Sequence, residues 1–145
     1  MVLSIRLAFV LGLMLISASS SHAMAGNELL KICSAMKDGA EKQAAYQYVC
    51  IGYIRGYQDA HTIMAALAAT KAQWASEEKA APERPLTDDE INSHSSFCIP
   101  EGADNAEQLA RVIVLYLENH AKELHIPAGF LVMSALQDAF PCWKK

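Results

Sequence analysis

The chain has 145 residues, with 12 basic and 16 acidic side chains and a formal charge of −4. That length fits a single domain. A mildly acidic chain without a basic patch argues against nucleic acid and against an anionic membrane surface as partner.

Much of the apolar content sits at the front. Residues 1–25 carry Arg6, then an apolar run from Leu7 to Ile16, then small residues closing on Ala23-Met24-Ala25. This order predicts a cleavable secretory signal, cut after Ala25. The run is shorter than the roughly 20 apolar residues a spanning helix needs. No second such run follows, so the expected product is an exported periplasmic protein with no membrane contact after cleavage. The mature part, residues 26–145, is a 120-residue chain with 11 basic and 16 acidic side chains. Four cysteines in an exported chain read as two disulfides.

Helical spacing dominates this mature part, and the expected fold is all-α, a small bundle of four to five helices in two disulfide-stapled hairpins. Asn27 is a good N-cap for a helix carrying Leu29, Leu30, Cys33 and Met36, with a stop at Lys37-Asp38-Gly39. A longer helix is predicted from near Glu41, fading between Thr70 and Ala81. Its apparent apolar stripe is Tyr46, Val49, Cys50, Tyr53, Tyr57, Ala60, Met64 and Leu67. Gly52 and Gly56 share one face of it, each costing about 1 kcal/mol relative to alanine. Close packing against a neighbouring helix is the expected compensation, with a dimer contact as the alternative. Asp59, one turn on, is a candidate partner for Arg111.

Residues 71–96 change character. Glu77, Glu78, Glu83, Asp88, Asp89 and Glu90 stand against Lys71, Lys79 and Arg84, with Pro82 and Pro85 between them. The segment reads as a solvated acidic connection, with a short helix at Thr87, where Thr-Asp-Asp-Glu90 forms a capping box. Asp104, with Glu107 three residues on, predicts the next helix start. Leu109, Val112, Ile113, Tyr116 and Leu117 line its face, and it breaks at Glu118-Asn119-His120-Ala121. A last helix is expected from Pro127, carrying Leu131, Met133, Leu136 and Phe140 to a stop at Pro141-Cys142.

The helix reading selects a cysteine pairing. Cys33 and Cys50 are equidistant from the first turn, and Cys98 and Cys142 from the break at His120. Residues equidistant from the turn of an antiparallel hairpin face each other, so the predicted disulfides are Cys33–Cys50 and Cys98–Cys142.

Catalytic and metal signatures are missing from the sequence. There is no Cys-x-x-Cys, no nucleophile elbow and no phosphate loop, and His120 and His125 miss the i,i+4 spacing of a helical metal pair. His61 and His94 read as surface or capping residues. The acidic runs lack the alternating ligands and central glycine of a calcium loop. No enzyme activity, cofactor or metal is expected.

Several runs resemble a known family. Leu29-Leu30-x-x-Cys33, Cys50-x-Gly52-Tyr53-Ile54-x-Gly56-x-x-Asp59-Ala60 and Phe97-Cys98-Ile99-Pro100-Glu101-Gly102 are similar to the Rap/Tai family of immunity proteins. So are Gln108-Leu109-x-Arg111-Val112-Ile113-x-x-Tyr116-Leu117 and Ala135-Leu136-x-x-Ala139-Phe140-Pro141-Cys142. The resemblance spans nearly all of the mature chain. It implies a helical periplasmic protein, often dimeric, that protects its producer from a type VI secretion amidase effector. Such effectors are cysteine peptidases that cut peptidoglycan cross-links, notably the γ-D-glutamyl–diaminopimelate bond, and the partner inhibits by covering the catalytic cleft. Residues 70–96 are longer than the family's connection. Their acidic side chains Glu77, Glu78, Asp88, Asp89 and Glu90, with Trp74 as an anchor, are candidates for meeting a basic cleft, with an uninvolved insertion as the alternative. A periplasmic acid-stress chaperone or envelope-maintenance protein without a toxin partner is the alternative, since 16 carboxylates give a means of responding to acid.

Overall fold

The computed structural model describes residues 23–35, 44–76 and 85–142. Five α-helices follow in chain order: α1 (Gly26–Ser34), α2 (Ala44–Ser76), α3 (Asp88–Ser93), α4 (Ala106–Asn119) and α5 (Ala128–Ala139). A 3₁₀ turn, Ala121–Glu123, links the last two. Among the described residues there is no strand, only one antiparallel bridge between Ala25 and Pro127. No helix among them is long and apolar enough to cross a membrane. Most of the expected signal, the stop at Lys37-Asp38-Gly39 and the start near Glu41 lie outside the described residues.

The first helix starts earlier than its best capping residue suggests. Ala25, not Asn27, is the N-cap, and the Glu28 carboxylate accepts from the Ala25 N–H at 3.1 Å. The reason is tertiary. Gly26 N–H donates to the Ile126 carbonyl at 3.0 Å, and Asn27 N–H to that of Leu124 at 2.9 Å. Ala128 N–H donates to the Met24 carbonyl at 2.8 Å. Gly26 fits because it lacks a side chain: a Cβ there would run into Leu131 Cδ1 and press on the Leu124 carbonyl oxygen at 3.1 Å.

Elsewhere local chemistry and fold agree to within one residue. Thr87 and Glu90 form the expected capping box, with the Glu90 carboxylate accepting from Thr87 N–H at 2.8 Å. The cap of α4 is Asn105 rather than Asp104, its Oδ1 accepting from Glu107 N–H at 2.9 Å. Pro127 stands one residue before α5, as its N-cap. The Pro100-Glu101-Gly102-Ala103 turn closes with Ala103 N–H on the Pro100 carbonyl at 3.0 Å. It needs a positive φ at its third residue, which Gly102 supplies at 81°.

The core gathers Leu29, Ile54, Leu109, Ile113, Leu117, Leu131 and Leu136, all fully buried. Each contributes about 1.5–3 kcal/mol by leaving water. Helix α1 packs on α2, α4 and α5, and α4 packs on α5. Both predicted disulfides are present, Cys33–Cys50 at a Cα separation of 5.1 Å and Cys98–Cys142 at 4.9 Å. The second does not staple helix to helix. Cys98 lies ahead of α4 and is tied beside the end of α5, where its N–H donates to the Phe140 carbonyl at 2.9 Å.

The long helix departs most from expectation. Its described turns reach Ser76, inside the range from Thr70 to Ala81 where the sequence expects it to fade. Its expected core stripe, however, is rotated. Of that stripe Cys50 is fully buried and Tyr53 and Tyr57 are half-buried against the core, while Ile54, Ala65 and Ala69 complete the inward face. Apolar side chains surround the helix, so periodicity alone does not single out the face that the Cys33–Cys50 bond and α4 select.

Replacing each cysteine pair by alanine gives an expected order of stabilities. Loop entropy favours the 44-residue separation of Cys98 and Cys142, about 4 kcal/mol against about 3 for the 17-residue separation of Cys33 and Cys50. Cys33 and Cys50, however, are both fully buried. Losing two buried sulfurs adds on the order of 1–2 kcal/mol. The Cys33/Cys50 double variant should therefore lose at least as much stability in urea unfolding as the Cys98/Cys142 one. A clearly smaller loss would contradict the cavity argument.

Candidate functional site

Nine large hydrophobic side chains are exposed among the described residues, and seven of them lie on α2: Tyr46, Tyr48, Val49, Ile63, Met64, Leu67 and Trp74. Val49, Gly52, Gly56, Ala60, Ile63, Leu67 and Trp74 follow one another at helical spacing on the side opposite Ile54, Ala65 and Ala69. Ile63, Leu67 and Trp74 are 60%, 58% and 60% exposed. A helix of 33 residues is about 50 Å long, so this is an extended, unpartnered apolar ridge. Contiguous exposed apolar surface on that scale marks a site of protein contact.

The two glycines lie within this ridge. A Cβ placed on either would meet nothing within 4 Å. Close packing against another helix among the described residues is therefore not what Gly52 and Gly56 do. They leave the ridge low at its middle, open to another backbone. Asp59 and Arg111 are both exposed, and no ion pair joins them.

The acidic candidates divide. Glu77 and Glu78 lie outside the described residues. Asp88 and Asp89 are exposed in the first turn of α3, where the helix dipole favours them. Glu90 points back onto Thr87, accepting from both its N–H and its hydroxyl, at 2.8 and 2.9 Å. It is a structural cap, not a free acceptor for a partner.

His61 holds a position that spacing did not reveal. It lies on α2, stacked on Phe97 with ring centroids 3.9 Å apart and planes 20° from parallel. Its Nε2 accepts from the Ser96 N–H at 3.1 Å, which places the ring proton on Nδ1. This contact joins α2 to the segment leading into Cys98. Clefts open on either side. One, of about 350 Å³, is lined by Tyr57, Met64, His94 and Met133. The other, of about 210 Å³, is lined by Gln58, Thr62, Asn92 and Asp104. Burial pulls the His61 pKa below its usual value.

The remaining histidines serve locally. His94 is exposed. His120 caps α4, with Nδ1 2.8 Å from the Tyr116 carbonyl and its ring stacked on Tyr116. His125 Nδ1 lies 3.1 Å from the Lys122 carbonyl. Among the described residues no group of three His, Cys, Asp or Glu side chains comes together in a way that could hold a metal ion.

A family model, that of the Rap1a immunity proteins, matches residues 25–142. The chain belongs to the Rap1a immunity protein family. Neither a curated protein nor a solved structure matches it. Rap1a membership implies a role in immunity to a type VI secretion effector, and so a site made for another protein. Among the described residues of this Rap1a chain, helix α2, with its ridge, carries most of the exposed large hydrophobic side chains.

Acid should weaken the His61 contact. With the folded pKa lowered, the unfolded chain takes up its proton first, near pH 6.5. The stability contribution is complete above that value and is lost as pH falls from it towards the folded pKa. His94, Tyr57 and Asp104 share the two clefts with the ring. Melting curves from pH 7.5 to 5 should fall more steeply for the wild type than for His61→Phe, which keeps a ring on Phe97 but cannot titrate. Parallel curves would rule this out.

Proposed function

We propose that this protein is a periplasmic immunity protein that binds a peptidoglycan amidase delivered by type VI secretion and blocks its catalytic cleft. The family match over residues 25–142 carries the reading. Three further features agree with it. Two disulfides suit an oxidising compartment such as the periplasm. Residues 1–25 have the order of an export signal. Inhibition by occupying a cleft needs complementary surface and no catalytic group, in keeping with a family that acts by binding.

On this reading the C-terminal half of the α2 ridge, with Trp74, meets the amidase, and Asp88 and Asp89 with Glu77 and Glu78 favour a basic rim. The open backbone at Gly52 and Gly56 suits a second copy of the chain, giving a homodimer whose two α2 helices cross there. The acid-stress alternative has one structural observation in its favour, the acid-labile seat of His61. Binding of an apolar dye and protection of other proteins from aggregation at about pH 3 would be its signature.

The direct test is calorimetry of the oxidised chain with amidases encoded beside it, together with their peptidoglycan hydrolysis. Tight binding with loss of hydrolysis is expected, and no binding to any of them would remove the amidase assignment. Trp74→Ala should weaken that binding by at least tenfold, the loss of a hot-spot anchor of about 2 kcal/mol, with the fold intact because the side chain is exposed. Gly52→Ala and Gly56→Ala should behave oppositely on two scales. Each should raise monomer stability by about 0.5–1 kcal/mol, since the added methyl meets nothing, and each should reduce self-association seen by light scattering.

A further inference from the structure

Two peptide bonds in the leader satisfy the small-residue rule for signal cleavage. Ala23-Met24-Ala25 allows a cut after Ala25, and Ser21-His22-Ala23 allows one after Ala23. The sequence alone favours the first. The fold of the residues that follow favours the second.

A cut after Ala25 removes groups that the folded domain uses. The Met24 carbonyl accepts from Ala128 N–H at 2.8 Å, and Ala128 is fully buried. Without Met24, that donor at the start of α5 has lost its acceptor, and an unpaired buried donor costs stability. Met24 also packs its side chain against the core. Ala25 is the N-cap of α1: its carbonyl accepts the first helical bond, from Leu29 N–H at 3.1 Å, and its N–H reaches the Glu28 carboxylate. The new terminus would be the ammonium of Gly26. Gly26 is buried and opens a helix, so a positive charge would lie in poor solvent at the positive end of the α1 dipole. A cut after Ala23 disturbs none of this. Ala23 is exposed, and the charge then falls two residues away from α1. The family match agrees, since it begins at residue 25, inside the segment that the other cut would discard.

We infer that the processing site is the Ala23–Met24 bond, so that the mature chain begins Met24-Ala25-Gly26. Water adds across that amide, leaving the carboxylate of Ala23 on the released signal and the ammonium of Met24 on the exported domain. The inference rests on the export reading above. Its reason is structural: Met24 and Ala25 belong to the domain as the strap that docks α1 against the start of α5.

The full precursor, expressed with its own leader and recovered from the periplasm, tests this by intact mass and N-terminal sequencing. A chain beginning at Met24 is expected. A chain beginning at Gly26 would overturn the assignment while leaving export in place. A chain still carrying residues 1–22 would overturn the reading of the leader as a cleaved signal, and the processing site with it. A second measurement tests the structural reason. Oxidised chains starting at Met24 and at Gly26 are compared by thermal unfolding, the shorter being expected to melt at least about 5 °C lower. Equal melting temperatures would show that the strap contributes nothing and would overturn the argument for the cut.

Discussion

Helix α1 is held from two directions, and the rest of the molecule is arranged around that constraint. At its start, backbone hydrogen bonds from Gly26 and Asn27 reach the segment ahead of α5, and Ala128 returns one to Met24. At its end, Cys33 is bonded to Cys50 on α2. Nine residues of helix cannot stabilise themselves in water. Fixed at both ends, they place Leu29 and Cys33 in the core between α2, α4 and α5. The same bond fixes the rotation of α2, because a residue tethered inward at 50 sets which side of the helix faces out.

That rotation divides α2 into two surfaces of different chemistry. The inward side presents Ile54, Ala65 and Ala69, and the outward side presents Ile63, Leu67 and Trp74. From Ile63 onward the helix buries small residues and exposes large ones, which inverts the usual pattern of a monomeric helix. A surface of that kind suits contact with another protein, and an immunity family is one that implies such contact.

Local signals in the sequence were read correctly where local chemistry decides the outcome. The capping box at Thr87 and Glu90, the helix break at His120, the stop at Pro141 and both disulfides follow from spacing and side-chain type. Apart from the α4 cap, which falls on Asn105 one residue after Asp104, the features missed are long-range. Asn27 is the better N-cap by composition, but the bridge of Ala25 to Pro127 starts the helix earlier. The expected core stripe of α2 was right at Cys50, Tyr53 and Tyr57 and wrong at Tyr46, Val49, Met64 and Leu67, because apolar residues occur on every side of the helix. Of the candidate contact residues, Trp74, Asp88 and Asp89 are exposed and available, whereas Glu90 is turned inward on its own cap. His61 could not be singled out at all, since its partners Ser96 and Phe97 lie some 35 residues away in the chain.

The alanines on the inward side of α2 have a consequence for motion. Beyond the contact of His61 with Phe97 and Ser96, the buried anchors of this helix are Ala65 and Ala69, each with one methyl to bury. Ordering several helical turns carries the usual entropic cost, about 1–2 kcal/mol per residue before hydrogen bonds and burial offset it. Two methyl groups return little of that, so the last turns of α2 are the part of the helix that opens most readily as a local unit. Amide exchange should thus be graded along a single continuous helix, slow around Cys50 and Ile54 and fast towards Trp74. A binding protein would gain rigidity there on meeting its target, and the entropy of that ordering would set part of its affinity.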